Sequence, residues 1–82
     1  MSKPYTPVPR FYHERFTIAI MTGESVPLHW RDEVGNDAYV AKVFPREIVE
    51  EGGMDYLLGA DDEGQSVRIR MDLIENMPAP SK

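Results

Sequence analysis

The sequence predicts a mostly-β fold: one N-terminal helix followed by four to five short antiparallel strands that curl into a small barrel. Three observations lead there. Several runs alternate apolar and polar residues with the period of a half-buried strand. Each is bounded by a cluster of Gly, Asp, Asn or Pro, the residues that turn a chain. Only one segment, near the start, repeats its apolar residues with a helical period as well. Short strands joined by brief turns protect their edges by closing on themselves, which favours a barrel.

Residues 1–8 read as an extended arm, because Pro4 and Pro7, with Pro9 just beyond, lack backbone donors and push their predecessors toward extended geometry. From Pro9 to Thr22, Tyr12, Phe16, Ala19 and Ile20 fall on one helical face, with Gly23 as a stop. Phe16, Ile18 and Ile20 also alternate as a strand would. The helix is preferred because Tyr12-His13-Glu14-Arg15 continues its period backwards. After Gly23, Val26, Leu28 and Trp30 point one way in a first strand, and Pro27 places that strand on an outer edge or at a bulge. Residues 32–37 turn the chain into a second strand, Ala38 to Phe44, with Tyr39, Ala41 and Val43 on one side.

Pro45 to Gly53 is either a bent continuation of that strand or a single helical turn before Gly52-Gly53 reverses the chain. Met54 to Ala60 is strand three, with Met54, Tyr56 and Leu58 on one face. Asp61-Asp62-Glu63-Gly64 turns into strand four, Ser66 to Asp72, where Val67, Ile69 and Met71 face in and Arg68, Arg70 and Asp72 face out. Ile74 and Met77 could close a short fifth strand. The expected core is Val26, Leu28, Trp30, Val43, Leu58, Val67, Ile69 and Met71. Residues 9–77 thus form one domain, the limit for a chain of 82 residues, and 78–82 a flexible tail.

The chain has no cysteine, which removes thiol nucleophiles, disulfides and Cys-based zinc sites and makes a cytoplasmic location the expectation. No apolar run has the length of a signal peptide or membrane span, so no membrane association is expected. His13 and His29 stand sixteen residues apart with no third ligand at metal spacing. The few threonines are scattered, no strained Gly-x-Ser-x-Gly turn occurs, and Gly52-Gly53 opens no phosphate loop. The expectation is therefore no enzyme, no cofactor, no metal and no small-molecule substrate.

Charge is the more informative property. Nine basic residues against 14 acidic ones give a net charge of -5, and the stretch from Glu47 to Glu63 contains seven acids and no base. A protein partner with a basic surface is the natural counterpart; a solvated acidic face kept for solubility meets the same composition. Glu50, Glu51 and Asp55 are the expected contacts in that stretch. In a second reading, Arg68 and Arg70 touch phosphate while Trp30, Tyr39 and Tyr56 stack on bases. The structural alternative has the arginines paired with cross-strand acids such as Asp55 and the aromatics in the core.

Tyr5-Thr6-Pro7-Val8, Phe11-Tyr12, Trp30-Arg31-Asp32-Glu33-Val34-Gly35, Gly53-Met54-Asp55-Tyr56-Leu57-Leu58 and Ile69-Arg70-Met71-Asp72-Leu73-Ile74 occur in an order and spacing that resembles the bacterial Rho-binding antiterminator family. The resemblance runs from about Tyr5 to Ile74. It implies a Sm-like, or more broadly SH3-like, small barrel with an N-terminal helix and five bent strands. It also implies an acidic protein that docks on the transcription terminator Rho and hinders its RNA binding, with the helix start as a contact region: Tyr12 carries over directly, and Glu14 stands as a displaced acid beyond His13. A Sm-like RNA-binding module and an accessory subunit of another complex are the alternatives.

Overall fold

The computed structural model describes residues 4–35 and 37–76. The elements run α1 (Arg10–Thr22), β1 (Val26–Arg31), β2 (Ala38–Glu51), β3 (Met54–Asp61), β4 (Ser66–Arg70) and a single 3-10 turn, Met71–Leu73. The strands form one antiparallel sheet in the order β1-β2-β3-β4. The chain is therefore mostly β with an N-terminal helix. Among the described residues no helix is long and apolar enough to cross a membrane.

The helical period wins over the alternation. Pro9 takes the extended cap position ahead of α1, and Gly23 ends the helix by donating its N–H to Ala19 O at 2.9 Å. Phe16 and Ala19, on the predicted face, are fully buried, and Tyr12 packs against the same core. Burial of the Phe16 ring alone corresponds to about 2 kcal/mol of hydrophobic stabilisation.

β1 shows the expected alternation, with Val26, Leu28 and Trp30 inward. It is an outer strand, so Pro27 lies where a missing donor is tolerated. Its free edge is covered by the residues after the 3-10 turn. Asn76 gives its Nδ2 to Pro27 O and accepts His29 N–H, both at 2.9 Å, while Glu75 N–H reaches His29 O at 2.7 Å. One isolated bridge joins Trp30 to Ile74.

β2 is the bent continuation rather than a strand and a helical turn. Ala38 to Val43 pair with β1, and Val43 to Glu51 pair with β3, so Val43 has partners on both sides. The register shifts between Pro45 and Glu47, where the proline interrupts the ladder and the strand bends. The reversal after Glu51 needs only two residues. Gly52 and Gly53 both have positive φ, 60° and 80°, the geometry of the tight hairpin turn whose twist matches the flanking strands.

Three expectations are corrected. The core residue of β3 is Leu57, not Leu58: Leu57 is fully buried and lies in register between Ile48 and Ile69, whereas Leu58 is half-buried opposite Arg68. Both faces of β3 are covered, so Tyr56 and Leu57 are buried side by side and apolarity alone does not fix the inward phase. β4 ends at Arg70, because Met71 to Asp72 enter the 3-10 turn. Among the described residues Ile74 joins the sheet through the single Trp30–Ile74 bridge; Met77, its expected partner in a fifth strand, and the expected tail at 78–82 lie outside them. Val67 is half-buried at the margin of the core.

Gly59 sits opposite Pro45 at the bend. A Cβ there would overlap Phe44 O and lie 3.1 Å from that residue's carbonyl carbon and 3.2 Å from Pro45 Cα, all backbone atoms with little freedom to move. Gly59→Ala is expected to destabilise the fold by about 2 kcal/mol, measured by urea denaturation. A loss under about 0.5 kcal/mol would show that the bend is not held by this contact.

Candidate binding surface

Arg70 and Tyr56 are register partners on the face of β3 and β4 that turns away from Leu57 and Ile69. The Arg70 side chain is nevertheless wholly buried. Its Nε and a terminal nitrogen hold the two carboxylate oxygens of Asp72 at 2.6 and 3.0 Å, a bidentate pair. The guanidinium also donates to Pro4 O at 3.0 Å and to the Met54 sulfur at 3.7 Å, lies 3.9 Å from Glu33, and has the Tyr5 ring 5.8 Å away. Asp72 in turn accepts Thr6 N–H at 2.9 Å. Residues 4–8 belong to no helix or strand, yet the segment is tied down at two consecutive peptides. The hydrogen bond to Asp72 is the main reason the Arg70 pKa is raised.

Around this pair stands a second layer. Tyr56 donates its hydroxyl to Glu33 at 2.7 Å, and Arg68 lies 3.8 Å over the Tyr56 ring while pairing with Glu33 and Glu51. The hydrogen bond to Glu33, then burial, raises the Tyr56 pKa above its usual 10.0. Arg68 is held more basic by Glu51. On the helix side, His13 Nε2 stands 3.0 Å from Asp55 Oδ2, and the Tyr5 hydroxyl reaches the same oxygen at 3.4 Å. Burial is the main cause of the raised Tyr5 pKa.

These contacts decide where the expected site residues stand. Both arginines do pair with acids, but with Glu33, Glu51 and Asp72 rather than Asp55. Arg70 does not face outward; it is covered by the arm. Trp30 and Tyr56 are buried, which leaves Tyr39 as the exposed member of the three proposed base-stacking aromatics. Asp55 is engaged by His13 and Tyr5. Glu50 is its cross-strand partner and is exposed, as is Glu14 one residue after His13. Tyr12 is half-buried, edge-on to Phe11 with ring centroids 5.0 Å apart.

The acidic stretch is not one surface. Glu50, Glu51 and Asp55 cluster at the β2–β3 turn beside the helix start, whereas Asp61, Asp62 and Glu63 occupy the other end of β3, roughly 20 Å away at about 3.3 Å per residue. Among the described residues no group of three or more metal-ligating side chains comes together. Searches against protein-family models, curated proteins and solved structures find no match to this chain. The reading of the surface rests on its own geometry and on the resemblance in the sequence.

Sequence reasoning missed Glu33, Tyr5 and His13 as members of this network. Glu33 was one acid of a turn and Tyr5 one aromatic of an arm, and nothing in local periodicity connects them to β3 and β4.

Asp72→Asn is expected to destabilise the protein by about 3 kcal/mol, because it leaves the Arg70 charge buried without its main partner; the double change Arg70→Met, Asp72→Leu should recover much of this. Urea denaturation of the three proteins checks it, and a single variant as stable as the double would refute the coupling. Tyr56→Phe should cost about 1.5 kcal/mol at neutral pH. Tyr56 holds its proton more tightly folded than unfolded, so its contribution is complete below pH 10 and declines as the pH rises through the folded value. The difference between wild type and Tyr56→Phe should therefore shrink above pH 10, read from denaturation midpoints across that range.

Proposed function

We propose that this protein is a non-catalytic, cytoplasmic binding module that docks an acidic surface on a basic protein surface, with transcription terminator Rho as the candidate partner and hindered RNA binding by Rho as the consequence. The observation that carries this reading is the His13–Asp55 contact. It fastens the helix start to the β2–β3 turn at Asp55, whose cross-strand partner is Glu50, and so brings Glu14 and Glu50 to the same part of the molecule; Glu51, on the other face of β2, is held by Arg68. Glu14 and Glu50 have no ion pair among the described residues and keep their charge for a partner. A site on Rho that attracts phosphate also attracts such carboxylates.

The Sm-like barrel implied by the sequence resemblance is the fold we attach to this reading. Its support is the strongly bent β2 and the bridge that carries the chain after β4 back to β1. RNA binding through the arginines is the weaker alternative, since Arg70 is buried and Arg68 is held between two carboxylates.

Titration of the purified Rho hexamer with the full chain at low ionic strength is expected to show binding that weakens as salt is added and that competes with single-stranded RNA. Glu14→Lys combined with Glu50→Lys should weaken it at least about tenfold through like-charge contact. No binding at low salt removes Rho as the partner; binding unchanged by the variant removes this surface.

A further inference from the structure

The far end of β3 has a site of different character. Because β2 pairs with β1 only up to Val43 and with β3 only from Val43 onward, its first half diverges from β3 and β4. The wedge is an open groove of about 540 Å³, within the usual range for ligand sites. Trp30, Tyr39, Val40, Ala41 and Val67 line it on the apolar side, and Asp32, Asp61, Asp62 and Glu63 stand along its rim. Tyr39 stacks on Trp30 at 5.6 Å between centroids and 24° between planes, yet remains 43% exposed. Asp61 caps its own turn by accepting the N–H groups of Glu63 and Gln65, while Asp62 and Glu63 are exposed. Among the described residues none of these three acids has an ion pair. Among the described residues the edge of β2 from Ala38 to Lys42 that faces away from β1 has no strand partner.

We infer that this groove is a docking site for an extended, arginine-bearing peptide segment. Each part of the occupant answers one feature. A guanidinium lies flat on the open face of Tyr39 and forks onto the Asp62 and Glu63 carboxylates, a combination the compact lysine ammonium does not match. The extended main chain runs along the unpartnered β2 edge. Arg68, which also lines the groove, does not oppose a cation, because Glu33 and Glu51 pair with it. Nucleic acid is excluded as occupant, since the rim repels phosphate.

The probes are acetyl-(Gly-Arg)3-amide and acetyl-(Gly-Lys)3-amide, titrated into the 15N-labelled full chain. The arginine peptide should bind at least about threefold more tightly, with the largest amide shifts in 39–41 and 61–65. Asp62→Asn with Glu63→Gln should weaken it at least about threefold. Tyr39→Ala should abolish the preference for arginine. Since Tyr39→Ala also removes packing from Trp30, the exposed acid pair decides if that variant unfolds. Glu14→Lys with Glu50→Lys should change the affinity less than twofold, which separates this site from the proposed partner surface. Shifts centred on the β2–β3 turn, equal binding of both peptides, or a single-stranded RNA oligomer moving the same amides would overturn the inference.

Discussion

Arg70 brings a permanent charge into a place that water does not reach, and much of the architecture on that side of the sheet follows from accommodating it. An isolated guanidinium there would cost several kcal/mol. Asp72 supplies the opposite charge in the only geometry that satisfies two nitrogens at once, and the 3-10 turn after β4 is what brings a residue two positions away onto the same guanidinium. A third donor goes to Pro4 O, and Asp72 also takes Thr6 N–H. Residues 4–6 are thereby fixed by hydrogen bonds to a buried ion pair, although Pro4 and Pro7 leave this segment no ladder or helix to join. Its placement then sets Tyr5 beside Asp55, and Asp55 meets the helix through His13.

The second constraint is the bend in β2. A flat strand of 14 residues would pair along its whole length with both neighbours; here the two halves serve different partners and only Val43 serves both. Pro45 interrupts the ladder, and Gly59 lets the opposing backbone come close enough to follow the bend. The same bend separates the acids. Those at the β2–β3 turn stay with the helix, while those at the β3–β4 turn face the groove opened by the divergence. A composition that reads as one acidic stretch becomes two surfaces with different surroundings, one beside a helix start and one against an aromatic pair.

How much of this was legible in the sequence depends on the range of the interaction. The helix, β1 with its edge proline, the β2–β3 glycine turn and most of the core follow from periods and turn residues that act within a few positions. Leu57 was missed because β3 is covered on both faces, so no polar alternation marks the inward side. Strand four was extended too far because Arg70 and Asp72 continue its alternation perfectly; their pairing across two residues is what ends it. Glu33, 35 positions from Arg68 and 37 from Arg70, has no local signal at all, and the same is true of Tyr5 and Asp55. Exposed Glu50 follows from charge alone, which identifies a carboxylate but not its neighbours.

Tyr5, Glu33, Asp55, Tyr56, Arg70 and Asp72 come from four separate segments of the chain and meet in the structure. Their chemistry is taken up in holding arm, turn, sheet and 3-10 turn together. Recognition has to come from side chains that the scaffold displays without engaging them. Near the helix start these are Glu14 and Glu50; at the groove they are Asp62, Glu63 and the open face of Tyr39. Two chains could therefore share the whole buried network and differ in partner through these few exposed positions, since altering them leaves Arg70 and its contacts untouched.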